Sequence, residues 1–171
     1  MTLRSVAAAA AIVLLTLSPC ARAQNTSDVL AEVGLFGTWA SDCRHPPSAF
    51  IPFSTYSLAA DGRVIRTLRR GDDSDHSGDF VIPWARRIAP DQVAMRMEGR
   101  DVTYDIILQI ENGQFRAYQS QTADGKVMVK DGIVLIDHQP AIWQKKCREN
   151  MASLPSTPAP VTPGSPVKTA S

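Results

Sequence analysis

The sequence predicts an all-β domain, in which an antiparallel meander of about eight to nine strands closes into a small barrel held by one disulfide. From Phe36 onward, short segments with period-two alternation follow one another, separated by turn signals at close spacing. Cys43 and Cys147 lie in the first and the last of these segments. A bond between them requires those segments to be neighbours, as a closed barrel would make them. A two-sheet sandwich with the same bond is the alternative.

The first 23 residues have the pattern of a cleaved signal peptide. Arg4 precedes an uncharged apolar run that is too short for a transmembrane span. Small residues at Ala21 and Ala23 predict cleavage after Ala23 and export to the periplasm. Lipidation at Cys20 is disfavoured, because Pro19 stands where a small residue other than proline is expected.

Composition divides the rest of the chain into three parts. Residues 24–35 form a lead-in with a short helical turn at most, and residues 36–150 form the barrel domain. Residues 151–171 contain five of the twelve prolines and no aromatic residue. Such a segment cannot bury enough apolar area to offset the entropy of ordering it, so a disordered tail is predicted.

Charge and cysteine content limit the partners. Removal of Arg4 and Arg22 with the signal peptide leaves 16 Lys and Arg against 17 Asp and Glu. This near-neutral balance argues against nucleic acid or an anionic membrane as the main partner. Two cysteines remain, and in an exported protein they most simply form one disulfide, with two separate buried thiols as the alternative. We expect a monomer without a membrane span.

Residues that favour turns or break strands predict where each strand begins and ends along the chain. The first strand, residues 37–43, ends before two consecutive prolines, which remove ladder donors. The clearest strand is 102–111, whose apolar residues alternate with polar ones, and Asn112-Gly113 is a type I′ turn signal that pairs it with the next strand. The other predicted strands, one of them interrupted at Pro83, are 53–60, 63–70, 79–88, 92–98, 114–121, 126–130, 133–137 and 141–147.

Gly37-Thr38-Trp39 in the first strand resembles the G-x-W opening of the lipocalin and broader calycin barrels. The resemblance covers about residues 36–147 and rests on these three residues. It implies a barrel whose Trp packs across the floor and whose other end is a cup for an apolar ligand. The C-terminal helix usual in lipocalins has no counterpart here. The chain also resembles small exported proteins of Gram-negative bacteria with a G-T-W-x-x-D-C opening, a resemblance that implies no particular activity.

Strand alternation selects the residues that would face a ligand inside the barrel. In a small barrel the same side chains can instead simply fill the core. Arg66 is the exception among them, because it shares a strand face with Val64 and Leu68. An inward Arg needs a carboxylate partner or marks a polar anchor for a ligand. The candidate interior residues are Trp39, Tyr56, Arg66, Met95, Met97 and Tyr104.

Other chemistry has little support in the sequence. The acidic stretch from Asp73 begins like an EF-hand calcium loop, but its twelfth position is Trp84 and no helices flank it, so a solvated loop is favoured. The histidines are scattered, without a zinc-ligand spacing. No nucleophile motif is present. We therefore expect no enzyme, no metal and no cofactor.

Two functional hypotheses follow. The first is a non-enzymatic periplasmic binding or accessory protein that holds a small apolar or amphipathic ligand in its barrel. The second is a protein-interaction module, such as an inhibitor of a protease or lysozyme. Such a module would use loops 45–51 and 71–78 at one end of the barrel as its contact surfaces.

Overall fold

A computed structural model of the chain describes residues 25–71 and 77–147. The predicted signal peptide, the predicted tail and most of the acidic loop lie outside the described residues. The described chain contains α1 (Thr26–Glu32), β1 (Gly37–Ala40), β2 (Phe53–Leu58), β3 (Val64–Arg69), β4 (Gly78–Ile82), β5 (Ala85–Ala89), β6 (Gln92–Glu98), β7 (Thr103–Glu111), β8 (Gln114–Thr122), β9 (Val127–Lys130), β10 (Ile133–Val134), β11 (Gln139–Pro140) and β12 (Gln144–Lys146).

Eight strands close a barrel in the order β1-β2-β3-β4-β6-β7-β8-β12, and β12 pairs again with β1. All of these pairings are antiparallel. The predicted closed antiparallel barrel is confirmed, and the sandwich alternative does not form. Closure leaves no free edge within the ring, which removes sites for unwanted strand pairing.

The seam of the barrel lies between the first and the last strand. Trp39 of β1 is opposite Lys146 of β12, and the backbone N–H of Cys147 donates to the Thr38 carbonyl over 2.8 Å. The predicted disulfide joins Cys43 to Cys147, whose Cα atoms are 5.5 Å apart. The bond therefore fastens the two strands that close the ring.

Two-residue hairpin turns form at Asn112-Gly113 and Asp131-Gly132, whereas Asp61-Gly62 and Asp124-Gly125 lie in longer turns. Asn112 and Gly113 have φ angles of 51° and 71°, and Asp131 and Gly132 have φ angles of 51° and 77°. Two successive positive φ angles define a type I′ turn, as the sequence predicts. Pro83 divides the predicted strand 79–88 into β4 and β5, and each of these two strands pairs with β6.

The ring departs from a simple meander after β8. The first residues of β8 pair with β12, whereas Ser120 and Gln121 pair with β9. Register shifts interrupt two pairings of β8, the pairing with β7 between Ile107 and Leu108 and the pairing with β9 between Ser120 and Gln121. β9, β10 and β11 thus leave the ring as a short ribbon, which we call the β9–β11 ribbon, before the chain returns as β12.

Helix α1 plugs one end of the barrel. Its residues Val29 and Leu30, and Leu35 after it, are buried in the main core. The indole N–H of Trp39 donates to the Leu35 carbonyl over 2.7 Å, and the Trp39 ring packs on Phe115 with 5.0 Å between centroids. The predicted lead-in is therefore part of the domain, and we call this end of the barrel the closed end.

Candidate functional site

Along β3 and β4, the burial of the inner residues falls from the closed end to the opposite end. On β3, Val64 is buried and Arg66 and Leu68 are half-buried. On β4, Ile82 is buried and Phe80 is half-buried. These residues alternate along their strands and so share the inner face. The end that carries the half-buried inner residues is called the open end below.

Arg66 lies on the inner face of the barrel near its open end. It is opposite Tyr56 of β2 and Phe80 of β4. Its Nη2 donates to the Ser54 hydroxyl over 2.9 Å, and its Nη1 lies 3.4 Å from the Met97 sulfur. Met97 belongs to β6, which is two strands from β3 in the ring, so the guanidinium connects β2 and β6 on the inner face.

The guanidinium of Arg66 has no carboxylate partner among the described residues. Its Nε is buried and has no hydrogen-bond partner there. Partial burial removes water from the Arg66 guanidinium, which costs free energy. A hydroxyl and a thioether compensate for only part of this desolvation cost. The arrangement therefore favours an anion from outside the described chain.

Tyr56 does not supply the missing negative charge. Its side chain is buried, and burial raises the pKa of the Tyr56 hydroxyl, while the nearby Arg66 charge acts in the opposite direction. Because burial dominates, the phenol stays neutral around pH 7. The Tyr56 ring instead faces the guanidinium, whose Cζ lies 5.9 Å from the ring centroid, in a weak cation–π contact.

The six predicted interior residues divide into two groups. Tyr56 and Met97 contact Arg66, and Tyr104 is opposite Met97 in the β6–β7 register. Trp39 and Met95 lie in the buried core, with Trp39 packed on Phe115. Tyr56 and Met97 are buried in the same core cluster as Trp39 and Met95. Their contacts with Arg66 join them to the candidate site, which consists of Tyr56, Arg66, Met97 and Tyr104.

Two residues of this site were not predicted. Ser54 is buried and holds Arg66, and the Phe80 ring packs near Tyr104 with 6.0 Å between centroids. The alternation of β2 places Ser54 on the same face as Tyr56, a signal that could have found it. Phe80 could not be assigned to the inner face from the sequence, because the interruption at Pro83 did not fix which face of its strand points inward.

The described part of the chain contains no metal site of the kinds considered from the sequence. Residues 25–71 and 77–147 contain no group of three His, Cys, Asp or Glu that could hold a metal ion. His45 is paired with Asp42, with 3.0 Å between Nδ1 and the carboxylate. The calcium-like loop positions 73–76, including His76, lie outside the described residues, and His138 lies on the ribbon with a φ of 57°.

None of the described helices is long and apolar enough to span a membrane. Comparison with protein-family models, curated proteins and solved structures gives no match for this chain. The fold and its interior therefore define the class of protein only as a closed antiparallel β-barrel with an Arg inside its open end.

Proposed function

We propose that this chain is a non-enzymatic binding protein whose open end takes a small amphipathic molecule with an anionic group. The observation that carries this proposal is the half-buried Arg66 guanidinium, which lacks a carboxylate partner among the described residues. An anion at this point would accept charge-assisted hydrogen bonds, which are worth about 1.5–3 kcal/mol each.

The apolar part of the ligand would lie against the inner residues around Arg66. Leu68, Phe80 and Tyr104 are half-buried there, so their side chains still present apolar surface. Small-molecule sites typically combine such apolar walls with a few polar groups that fix orientation. The ligand must be short, because Trp39, Met95 and Phe115 fill the interior beyond.

We also propose that the chain is a lipocalin-like barrel that is exported to the periplasm. The closed antiparallel ring and the hydrogen bond from the Trp39 indole to Leu35, just after α1, support this class. Gly37 has a φ of 112°, a conformation that residues with a Cβ rarely adopt, so a larger residue in this opening would be strained. The disulfide supports export, because such bonds persist in oxidising compartments.

The test is a competition titration with a dansyl-labelled fatty acid as the fluorescent probe. Decanoate should displace the probe, and Arg66→Gln should weaken decanoate binding about tenfold, which corresponds to about 1.4 kcal/mol. Decanol, which lacks the charge, should be affected much less. Arg69→Gln is the matched control, because Arg69 is exposed on the opposite face of the same strand. Equal weakening by both variants, or no saturable binding, would contradict the proposal.

The second candidate function is that of a protein-interaction module, and one exposed aromatic residue favours it. Phe50 lies in the predicted contact loop 45–51 and is 88% exposed. Exposed aromatic side chains of this kind often anchor protein partners. Periplasmic protease and lysozyme preparations would be assayed with and without the protein. Inhibition that Phe50→Ser removes, together with an absence of probe binding, would favour this candidate over the first.

A further inference from the structure

A groove of about 350 Å³ lies on the outer face of β6, β7 and β8. In the register of these strands, Ala94 is opposite Ile107, and Ile107 is opposite Gln119. These residues alternate with the buried inner residues of the same strands, so they face away from the barrel interior. The groove shares no lining residue with the site at Arg66.

The walls of the groove are formed at two places where the chain leaves the regular ring of strands. The carbonyl of Trp84, at the break between β4 and β5, accepts a hydrogen bond from the Arg96 N–H over 3.2 Å, which places Trp84 beside β6. On the other side, Val127 and Lys130 of the β9–β11 ribbon line the groove. The interruption at Pro83 and the departure of the ribbon thus create a concavity that a simple meander would lack.

The floor and walls are unusually apolar for the outside of a barrel. Trp84 is 36% exposed, and Val127 is also exposed, although both are large apolar residues. Ala94 is only 7% exposed despite facing outward, because it lies at the base of the groove. A concave apolar surface with a few polar groups is the usual form of a small-molecule site, and this volume falls at the small end of the range.

The charges around the groove favour an anion. Asp105 is held by Arg96 through two hydrogen bonds of 2.8 and 2.9 Å, so its negative charge is already compensated. Lys130 has no carboxylate partner within residues 25–71 and 77–147, and Arg86 lies near the Trp84 ring, with its Cζ 5.8 Å from the centroid. Among the charged residues that line the groove, Asp105 and Lys130, only Lys130 is therefore left uncompensated by a described partner.

We propose that this groove is a second ligand site, which takes a flat aromatic anion. The ring of the ligand lies against Trp84 and Ile107, and its acid group meets the ammonium of Lys130. Aromatic side chains provide large apolar contact area and favour offset or edge-on ring pairs. Charge-assisted hydrogen bonding to Lys130 then fixes which end of the ligand enters.

The test is a titration of the disulfide-bonded protein with naphthoate and, separately, with the neutral naphthylmethanol, followed by amide NMR shifts. Naphthoate should bind saturably and shift the amides of Ala94, Ile107 and Val127. Lys130→Gln should weaken naphthoate about tenfold and leave naphthylmethanol unchanged. Lys145→Gln is the matched control, because Lys145 is exposed on β12 and does not line the groove.

Two further variants separate this site from the barrel interior. Ala94→Leu should abolish binding of both probes by filling the base of the groove, whereas Arg66→Gln should leave both unchanged. If Ala94→Leu does not fold, the Lys130→Gln comparison decides alone. Shifts centred on Phe80 and Tyr104, equal losses for the two probes in Lys130→Gln, or no saturable binding of naphthoate would overturn the proposal.

Discussion

The two ends of the barrel are built from the same strands but differ in how completely the inner residues of β3 and β4 are covered. At the closed end, Val64 and Ile82 pack with Leu30 of α1 and are buried. Two residues away on the same strands, Arg66 and Phe80 are half-buried. Helix α1 accounts for the difference at the closed end, because it adds a second apolar layer there.

Because of this difference, we expect one end of the barrel to contribute mainly to stability and the other mainly to ligand binding. The closed end adds the buried residues of α1 to the core, and burial of apolar surface is the main favourable term in folding. The open end holds a charged side chain whose partial burial carries a cost. Substitutions at the two ends should therefore have opposite profiles, with large effects on unfolding at one end and on binding at the other.

The largest expected effect comes from the seam that both ends share. Replacing Cys43 and Cys147 together by Ala should lower the free energy of unfolding by about 4–5 kcal/mol, because the bond closes a loop of about 100 residues. Urea denaturation measures this loss, and hydrogen exchange should show weaker protection at both ends. The wild type under reducing conditions is the control. A loss below about 1 kcal/mol would show that the strand pairs close the ring without the bond.

The comparison itself is tested by truncating one Leu at each end. Leu30→Ala should cost about 2–5 kcal/mol, because Leu30 is fully buried and the substitution leaves a cavity. Leu68→Ala should cost less than half as much, since Leu68 is half-buried at the open end. Urea unfolding of both variants under the same conditions provides the measurement. Equal losses would mean that the open end is packed as tightly as the closed end.

Arg66→Met should have a smaller effect on stability, within about 1 kcal/mol of the wild type or in the stabilising direction. Met keeps a long apolar stem and removes a charge that lacks a described carboxylate partner. Thermal unfolding checks this, with Arg69→Met as the control on the outer face. A loss of several kcal/mol would show that the bonds of Arg66 to Ser54 and Met97 hold the open end together.

The smallest expected effect concerns the Arg96–Asp105 pair on the outer face. Hydrogen bonding from Arg96 lowers the pKa of Asp105 in the folded protein. The pair therefore stabilises the fold above the ordinary pKa of Asp, and this contribution is lost as pH falls through the lowered folded-state value. For a surface pair we expect about 0.2–1 kcal/mol.

Urea denaturation of the wild type and Asp105→Asn, at neutral pH and near pH 3, measures this contribution. The variant should lose less stability on acidification than the wild type does. Asp101→Asn is the control, because Asp101 is exposed and has no ion pair among the residues described. Identical losses in the wild type and Asp105→Asn would exclude a contribution from the pair.

Local sequence patterns predicted much of the fold and part of the site. Alternation correctly placed Val64 and Arg66 on one face of β3, and the Asn112-Gly113 pair correctly predicted its turn. The same alternation grouped Tyr104 with the interior. It did not separate Trp39, in the filled core, from Tyr104 at the open end, because a strand pattern identifies the face of a residue and not its depth.

The sequence by itself determined the all-β class, the faces of the regular strands and the turn at Asn112-Gly113, because each depends on residues close together in the chain. It also predicted the closing disulfide from the two cysteines that remain after the signal peptide. Only the tertiary structure decided that α1 plugs one end, that the β9–β11 ribbon leaves the ring, and that Arg66 meets Ser54 and Met97 without a described carboxylate. These features depend on which distant edges and faces pack together. Packing of distant segments is set by the sum of many contacts, and no short pattern records that sum.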